Sequence, residues 1–92
     1  LIVADDFMAL GVLNMLDEMD ISVPEDISVV SFNNVLISQL SKPPLSSVDI
    51  NIEKLGYQAV KLLISKIKNP QGPTMRMIIP HQFIIRSSVT KK

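Results

Sequence analysis

A four-residue apolar run, a helical repeat and a β-branched run follow one another within the first thirty-two residues, and this order restricts the chain to α/β folds. Leu1 to Ala4 contains no polar residue and stops at Asp5-Asp6, which suits a central strand buried on both faces. Met8, Val12, Leu13, Leu16 and Met19 then recur at three- and four-residue spacing, with Asn14, Asp17 and Glu18 between them. That spacing predicts an amphipathic helix ending near Asp20, with Asp6 as its N-cap. Ile21 to Asp26 reads as a turn, because Pro24 has no N–H for a strand ladder and Asp26 favours local side-chain bonds. Ile27 to Phe32 is a second strand and ends at Asn33-Asn34, residues that tolerate left-handed turn conformations. Strand, helix and strand in so short a span form a βαβ unit.

Val35 to Leu40 has room for one or two helical turns before Pro43-Pro44 forces extended backbone. Leu45 to Val48 is a brief strand, and Asp49-Ile50-Asn51 leads into the longest helix. In that helix Ile52, Leu55, Ala59, Leu62, Leu63 and Ile67 repeat at helical spacing, with Asn51 as cap and Glu53 in the first turn. Asn69 to Pro73 is a turn cluster, and Met75 to Ile85 predicts two strand segments meeting at Pro80. The expected order is β-α-β-(short α)-β-α-β-β, an α/β class with parallel strands and no internal repeat.

Composition narrows the function. Apolar residues are 47% and charged residues 20% of the sequence, enough for an aliphatic core. The net charge is zero and the basic residues are scattered, which excludes a surface built to neutralise several phosphates. The absence of cysteine removes disulfides and thiolate metal sites, and no apolar run reaches the ~18–20 residues of a bilayer span. Ninety-two residues make one small domain at most, and the chain opens inside a strand-like run without an initiator methionine, so it is expected to be a segment of a longer protein.

Ligands of open α/β sheets collect beyond the carboxyl ends of strands, which singles out Asp5-Asp6 and Asn33-Asn34. Asp6 is read as a helix cap, and Asp5 either as a second structural carboxylate or as a ligand contact. The amides of Asn33 and Asn34 match the donors and acceptors of sugar hydroxyls, or else satisfy a local turn. An acidic pair after a first strand also resembles phospho-acceptor receiver domains, and Lys42-Pro43 mimics their late Lys-Pro step. The match fails because a receiver needs a further aspartate for magnesium where this chain has neutral Asn33-Asn34. His81 is the sole histidine and no Gly-x-Ser-x-Gly elbow exists, so no nucleophilic triad, metal site or cofactor loop is expected. Gly11 and Gly56, inside helical patterns, are expected to permit close packing, and Leu10 and Met15, off the core face, to lie under further chain or a second subunit.

Three separated motifs carry a resemblance: Ala4-Asp-Asp-Phe-Met-Ala-Leu-Gly-Val-Leu13, Val23-Pro-Glu-Asp-Ile-Ser-Val-Val-Ser-Phe-Asn-Asn34 and Pro43-Pro-Leu-Ser-Ser-Val48. In order and spacing they are similar to the effector-binding domain of LacI/GalR-family transcriptional repressors. Leu55-Gly56 and Ile79-Pro-His81 extend the likeness over essentially the whole chain, and Ser31 to Asn34 with Pro43 to Ile52 look most like maltose-operon repressors. The resemblance implies a type I periplasmic-binding-protein-like fold of two α/β lobes joined by crossing strands, of which this chain is the C-terminal portion. Residues 1–48 and 81–92 would belong to the C-terminal lobe, and 49–80 would supply a crossing segment and a helix and strand of the N-terminal lobe.

The resemblance also implies effector contacts from Asp5, Asn33, Ile52 and Leu55, and a homodimer surface including Leu10, Leu40 and Ser41. Asn33 stands where an aspartate is common, and Ile52 where some relatives carry an aromatic ring. These changes remove a charge-assisted hydrogen bond and a stacking surface. The implied function is a cytoplasmic sugar-responsive repressor that closes on maltose or a related sugar and touches operator DNA only through an upstream helix-turn-helix domain. It implies no catalysis, cofactor or membrane. A sugar-binding protein of a transport system is the alternative on the same fold.

Overall fold

The structure, a computed structural model, describes residues 1–91; Lys92, the last residue of the expected C-terminal lobe, lies outside them. Six elements follow in order: α1 (Asp6–Glu18), β1 (Val30–Phe32), α2 (Leu36–Leu40), β2 (Ser46–Asp49), α3 (Ile52–Lys68) and β3 (Gln82–Ile84). The sheet runs β1-β2-β3, with β1 parallel to β2 and β2 antiparallel to β3. Ile2 adds a single parallel bridge to Val30.

The α/β class holds, with three local corrections. The first apolar run forms one bridge rather than a strand, although Val3 is buried and its N–H donates to the Val30 carbonyl at 2.8 Å. The second strand is shorter than its β-branched run, because Val29 N–H donates to the Ser88 carbonyl and not to a neighbouring strand. Of the two segments expected around Pro80, only Gln82 to Ile84 pairs, and it does so antiparallel.

The spacing that announces α1 is present but rotated. Asp6, Ala9 and Leu13 are its buried residues, with Val12 and Leu16 packed against the core, while Met8 and Met19 are exposed. Burying Asp6 turns the helix so that the stripe through positions 6, 9, 13 and 16 faces inward. Against it lie Val3, Val29 and Leu45, the other members of the apolar core.

The chain is not equally packed along its length. Its radius of gyration is 17.6 Å, against about 12 Å for a compact chain of this size. Its accessible surface is 6793 Å², against about 5,300 Å² for a compact monomer of this mass. The excess comes from α3, which has no buried residue and makes no extensive contact with another helix or strand. Ile52, Val60, Leu63 and Ile67, on one stripe of α3, are all exposed. Nothing lies within 4 Å of a Cβ placed at Gly11 or Gly56, so the close packing expected there is not supplied by the described residues.

Candidate functional site

Asp5 and Asn33 occupy corresponding positions on adjacent parallel segments. Ile2 bridges Val30 in parallel, and each residue lies three further along its segment. Asp5 is the N-cap of α1: its backbone is extended and its Oδ1 accepts the Met8 N–H at 2.8 Å. This reverses the sequence expectation, which gave the cap to Asp6.

Asn33 follows β1 directly, with its N–H donating to the Val48 carbonyl at 2.9 Å and a φ of 100°. A positive φ in a residue other than glycine is sparsely populated and persists only where the surroundings impose it. Its side chain makes no hydrogen bond among the described residues. Next to it Phe32, Val48, Ile50, Leu55, Ile79 and His81 line an open, mostly apolar cleft of about 470 Å³. Leu55 thereby shares this cleft with Phe32, the last residue of β1. Ile52, in the first turn of α3, is about half exposed and does not line the cleft.

Behind these strand ends lies a polar network that the sequence reading did not find. Asp6 is fully buried; its Oδ1 accepts from Ser31 Oγ at 2.5 Å and Ser47 Oγ at 2.8 Å, and its Oδ2 from the Val35 N–H at 2.7 Å. One carboxylate thus joins α1, β1, β2 and the entry to α2. Asn34 links this group to a second one. Its N–H donates to Ser47 Oγ at 3.0 Å and its Oδ1 accepts from Arg86 Nη2 at 2.6 Å, while the single Ser38 hydroxyl hydrogen goes to the Val35 carbonyl at 2.7 Å.

Arg86 also donates from Nη1 to the Leu45 carbonyl at 2.7 Å and to Ser38 Oγ at 3.0 Å. Ser88 Oγ accepts from the Ser46 N–H and donates to the Val29 carbonyl. No buried side-chain nitrogen or oxygen among the described residues is left without a partner. That condition makes a polar interior tolerable, since an unmade buried bond costs about 1–3 kcal/mol.

The three residues expected at a dimer surface separate. Leu40 is 70% exposed and Leu10 is half-buried. Ser41 is 6% exposed, and its one hydroxyl hydrogen is shared between the Ser38 and Pro43 carbonyls, so it has no free side chain to offer a partner. Among the described residues no group of three or more His, Cys, Asp or Glu is placed to hold a metal ion, and no helix is long and apolar enough to cross a membrane.

Parallel strand ends with an apolar cleft beside them are where open α/β domains place ligand sites. Residues 1–89 match the family model described as a periplasmic binding protein-like domain, and the chain belongs to that family, in the branch of LacI/GalR-type regulators. The HTH-type transcriptional regulator GalR of Lacticaseibacillus casei is 40% identical over 87 residues, 95% of this chain and 26% of that protein. A lactose operon repressor of Rhizobium radiobacter is 35% identical over 91 residues, covering 99% of this chain and 80% of the relative. A solved LacI transcriptional regulator from Bacillus cereus subsp. cytotoxis is 43% identical with a TM-score of 0.94, over 99% of this chain and 32% of that one. The chain therefore spans about a quarter to a third of the GalR relative and of the solved regulator.

Proposed function

We propose that this chain is the effector-binding and dimerisation segment of a sugar-responsive transcriptional repressor, and that the effector is maltose or a related sugar. The observation that carries the reading is Asn33: a polar side chain without an internal partner, on a strained backbone, at a strand end beside an apolar cleft. An amide supplies both a donor and an acceptor to vicinal hydroxyls, and the cleft wall, with Leu55, suits the apolar face of a sugar ring. Asp5 retains acceptor capacity beyond its one cap bond and would accept from a further hydroxyl. Ile52 would join the ligand once the domain closes.

On this reading residues 1–48 and 81–91 belong to one lobe, and 49–80 cross to the other. Leu10 and Leu40 lie at a homodimer surface, and operator DNA is bound in the cytoplasm by a helix-turn-helix domain outside this chain. Effector binding acts through its differential affinity for two lobe arrangements, the only source of free energy available for switching. The names of the relatives, regulators and an operon repressor, favour this over a transport protein.

The test is isothermal titration of maltose, glucose, ribose and a purine into the full-length protein. Saturable binding of maltose, weakened roughly tenfold or more by Asn33→Ala, is the expected result. Binding of a different compound at the same residue would replace the sugar and keep the regulator, and no binding by any would overturn the site.

A further inference from the structure

The turn that begins with Asn33 is held by three consecutive backbone N–H groups. Asn33 N–H donates to the Val48 carbonyl at 2.9 Å, Asn34 N–H to Ser47 Oγ at 3.0 Å, and Val35 N–H to Asp6 Oδ2 at 2.7 Å. The second and third bonds form one unit, because Ser47 Oγ itself donates to Asp6 Oδ1 at 2.8 Å. Asn33 and Asn34 have φ of 100° and 54°, and two such residues in succession, neither of them glycine, persist only where the surroundings over-determine them. Residues 33–35 lie outside any strand or helix, so beyond the bond to Val48 the restraint on these amides comes from side chains.

Asp6 is the first residue of α1 and follows Asp5 directly. One buried carboxylate therefore ties the neighbour of one candidate effector contact to the turn that starts with the other. We propose that Asp6 is a positioning residue of the effector site, which acts with Ser47 to fix the turn at residues 33–35 and so to hold the strand ends bearing Asp5 and Asn33 in place. The restraint on the turn stands on the geometry; its effect on the ligand rests on the effector-site reading above. The neighbours of Asp6, namely Ser31 Oγ, Ser47 Oγ and the Val35 N–H, all donate, so both of its oxygens must accept, and an asparagine of the same shape would set an NH2 donor against one side of the group. Ser31 is the internal contrast. Its hydroxyl is as fully buried as that of Ser47 and donates to the same oxygen of Asp6, but it bonds to none of the three amides.

The experiment measures amide hydrogen exchange in the full-length protein, with the amide of buried Leu13 in α1 as reference for overall stability. Relative to Leu13, exchange at Asn34 and Val35 is expected to rise roughly tenfold or more in Ser47→Ala, to return towards wild type in Ser47→Thr, and to change by less than about twofold in Ser31→Ala. Asp6→Asn keeps the shape of the side chain and serves should Ser47→Ala not fold; faster exchange is expected at Val35 or Asn34, according to which side the NH2 group faces.

Wild-type exchange at both amides in Ser47→Ala and in Asp6→Asn would overturn the proposal, as would an equal rise in Ser31→Ala, which would reduce the network to general stabilisation. Maltose affinity, measured in parallel, is expected to fall roughly tenfold in Ser47→Ala, to recover in Ser47→Thr and to stay within about twofold in Ser31→Ala. An unchanged affinity in Ser47→Ala with a loosened turn would overturn the role at the effector site. If the wild-type protein does not bind maltose while the exchange behaves as described, the effector reading fails and the restraint on the turn stands.

Discussion

Two parts of this chain are held in their conformations by different means. In residues 1–48 and 86–91, seven of the twelve buried residues are polar or charged, and each buried polar side chain is matched to a partner. In α3 and the segment up to Ile85 no residue is buried, and Ile52, Val60, Leu63 and Ile67, on one stripe of α3, are all exposed. The first part is specified by directed bonds that fit one arrangement of strands and helices. The second is an ordinary helix in its local chemistry, with Glu53 in its first turn and Lys66 and Lys68 in its last. What the contrast teaches is that the packed part fixes the strand ends bearing Asp5 and Asn33, while the cleft beside them is completed by residues outside it, Ile50, Leu55, Ile79 and His81.

The largest break in that contrast is expected from Asp6→Ala. Three donors, from Ser31, Ser47 and Val35, would lose their acceptor in a place without access to water. A loss of about 3–5 kcal/mol in chemical denaturation of the full-length protein is expected. A loss under about 1 kcal/mol would show that the network contributes little.

Next comes a pair of leucines. Leu45, fully buried, should cost about 2–5 kcal/mol on replacement by alanine. Leu63, 59% exposed here, should cost within about 0.5 kcal/mol if its face meets water. In the full-length protein, where the proposed second lobe would cover α3, its cost should rise to about 2 kcal/mol or more; a small value would sink the lobe assignment of residues 49–80.

The smallest effect separates the two helix starts. Asp5→Ala removes a cap bond and should cost about 1 kcal/mol. Asn51→Gly should cost nothing or stabilise slightly in thermal unfolding, because Asn51 makes no side-chain cap bond and glycine adopts its positive φ freely. A clear destabilisation would mean that its amide has a partner outside the described residues.

Much of the architecture is legible in the sequence. The helical repeat of α1 and α3, the β-branched end of β1 and the Leu45 to Val48 strand all rest on periodicities of 3.6 or 2, which local sequence carries directly. The adjacent carboxylates were interchanged because both satisfy the residue preference of an N-cap. Only the tertiary position of Ser31 and Ser47 decides which of Asp5 and Asp6 turns inward.

The polar interior was not legible at all. Ser38, Ser46 and Ser88 are indistinguishable in composition from loop serines, and Arg86 and Ser88 reach partners some forty to sixty positions away. No local pattern encodes such a partnership. For the candidate site, Asp5 and Asn33 rested on their place at strand ends and on resemblance. The positive φ of Asn33 and the two bonds accepted by Asp49 are products of the folded register.

The placement of Arg86 and Ser88 has a consequence for biosynthesis. Val29, Ser46, Asn34 and Ser38 wait for groups encoded at the far end of the segment, so the β1–β2 layer cannot reach its final state as it leaves the ribosome. The nascent intermediate carries half-matched serines and an open sheet edge until β3 arrives, and that interval is when the growing polypeptide is most exposed to wrong strand pairing.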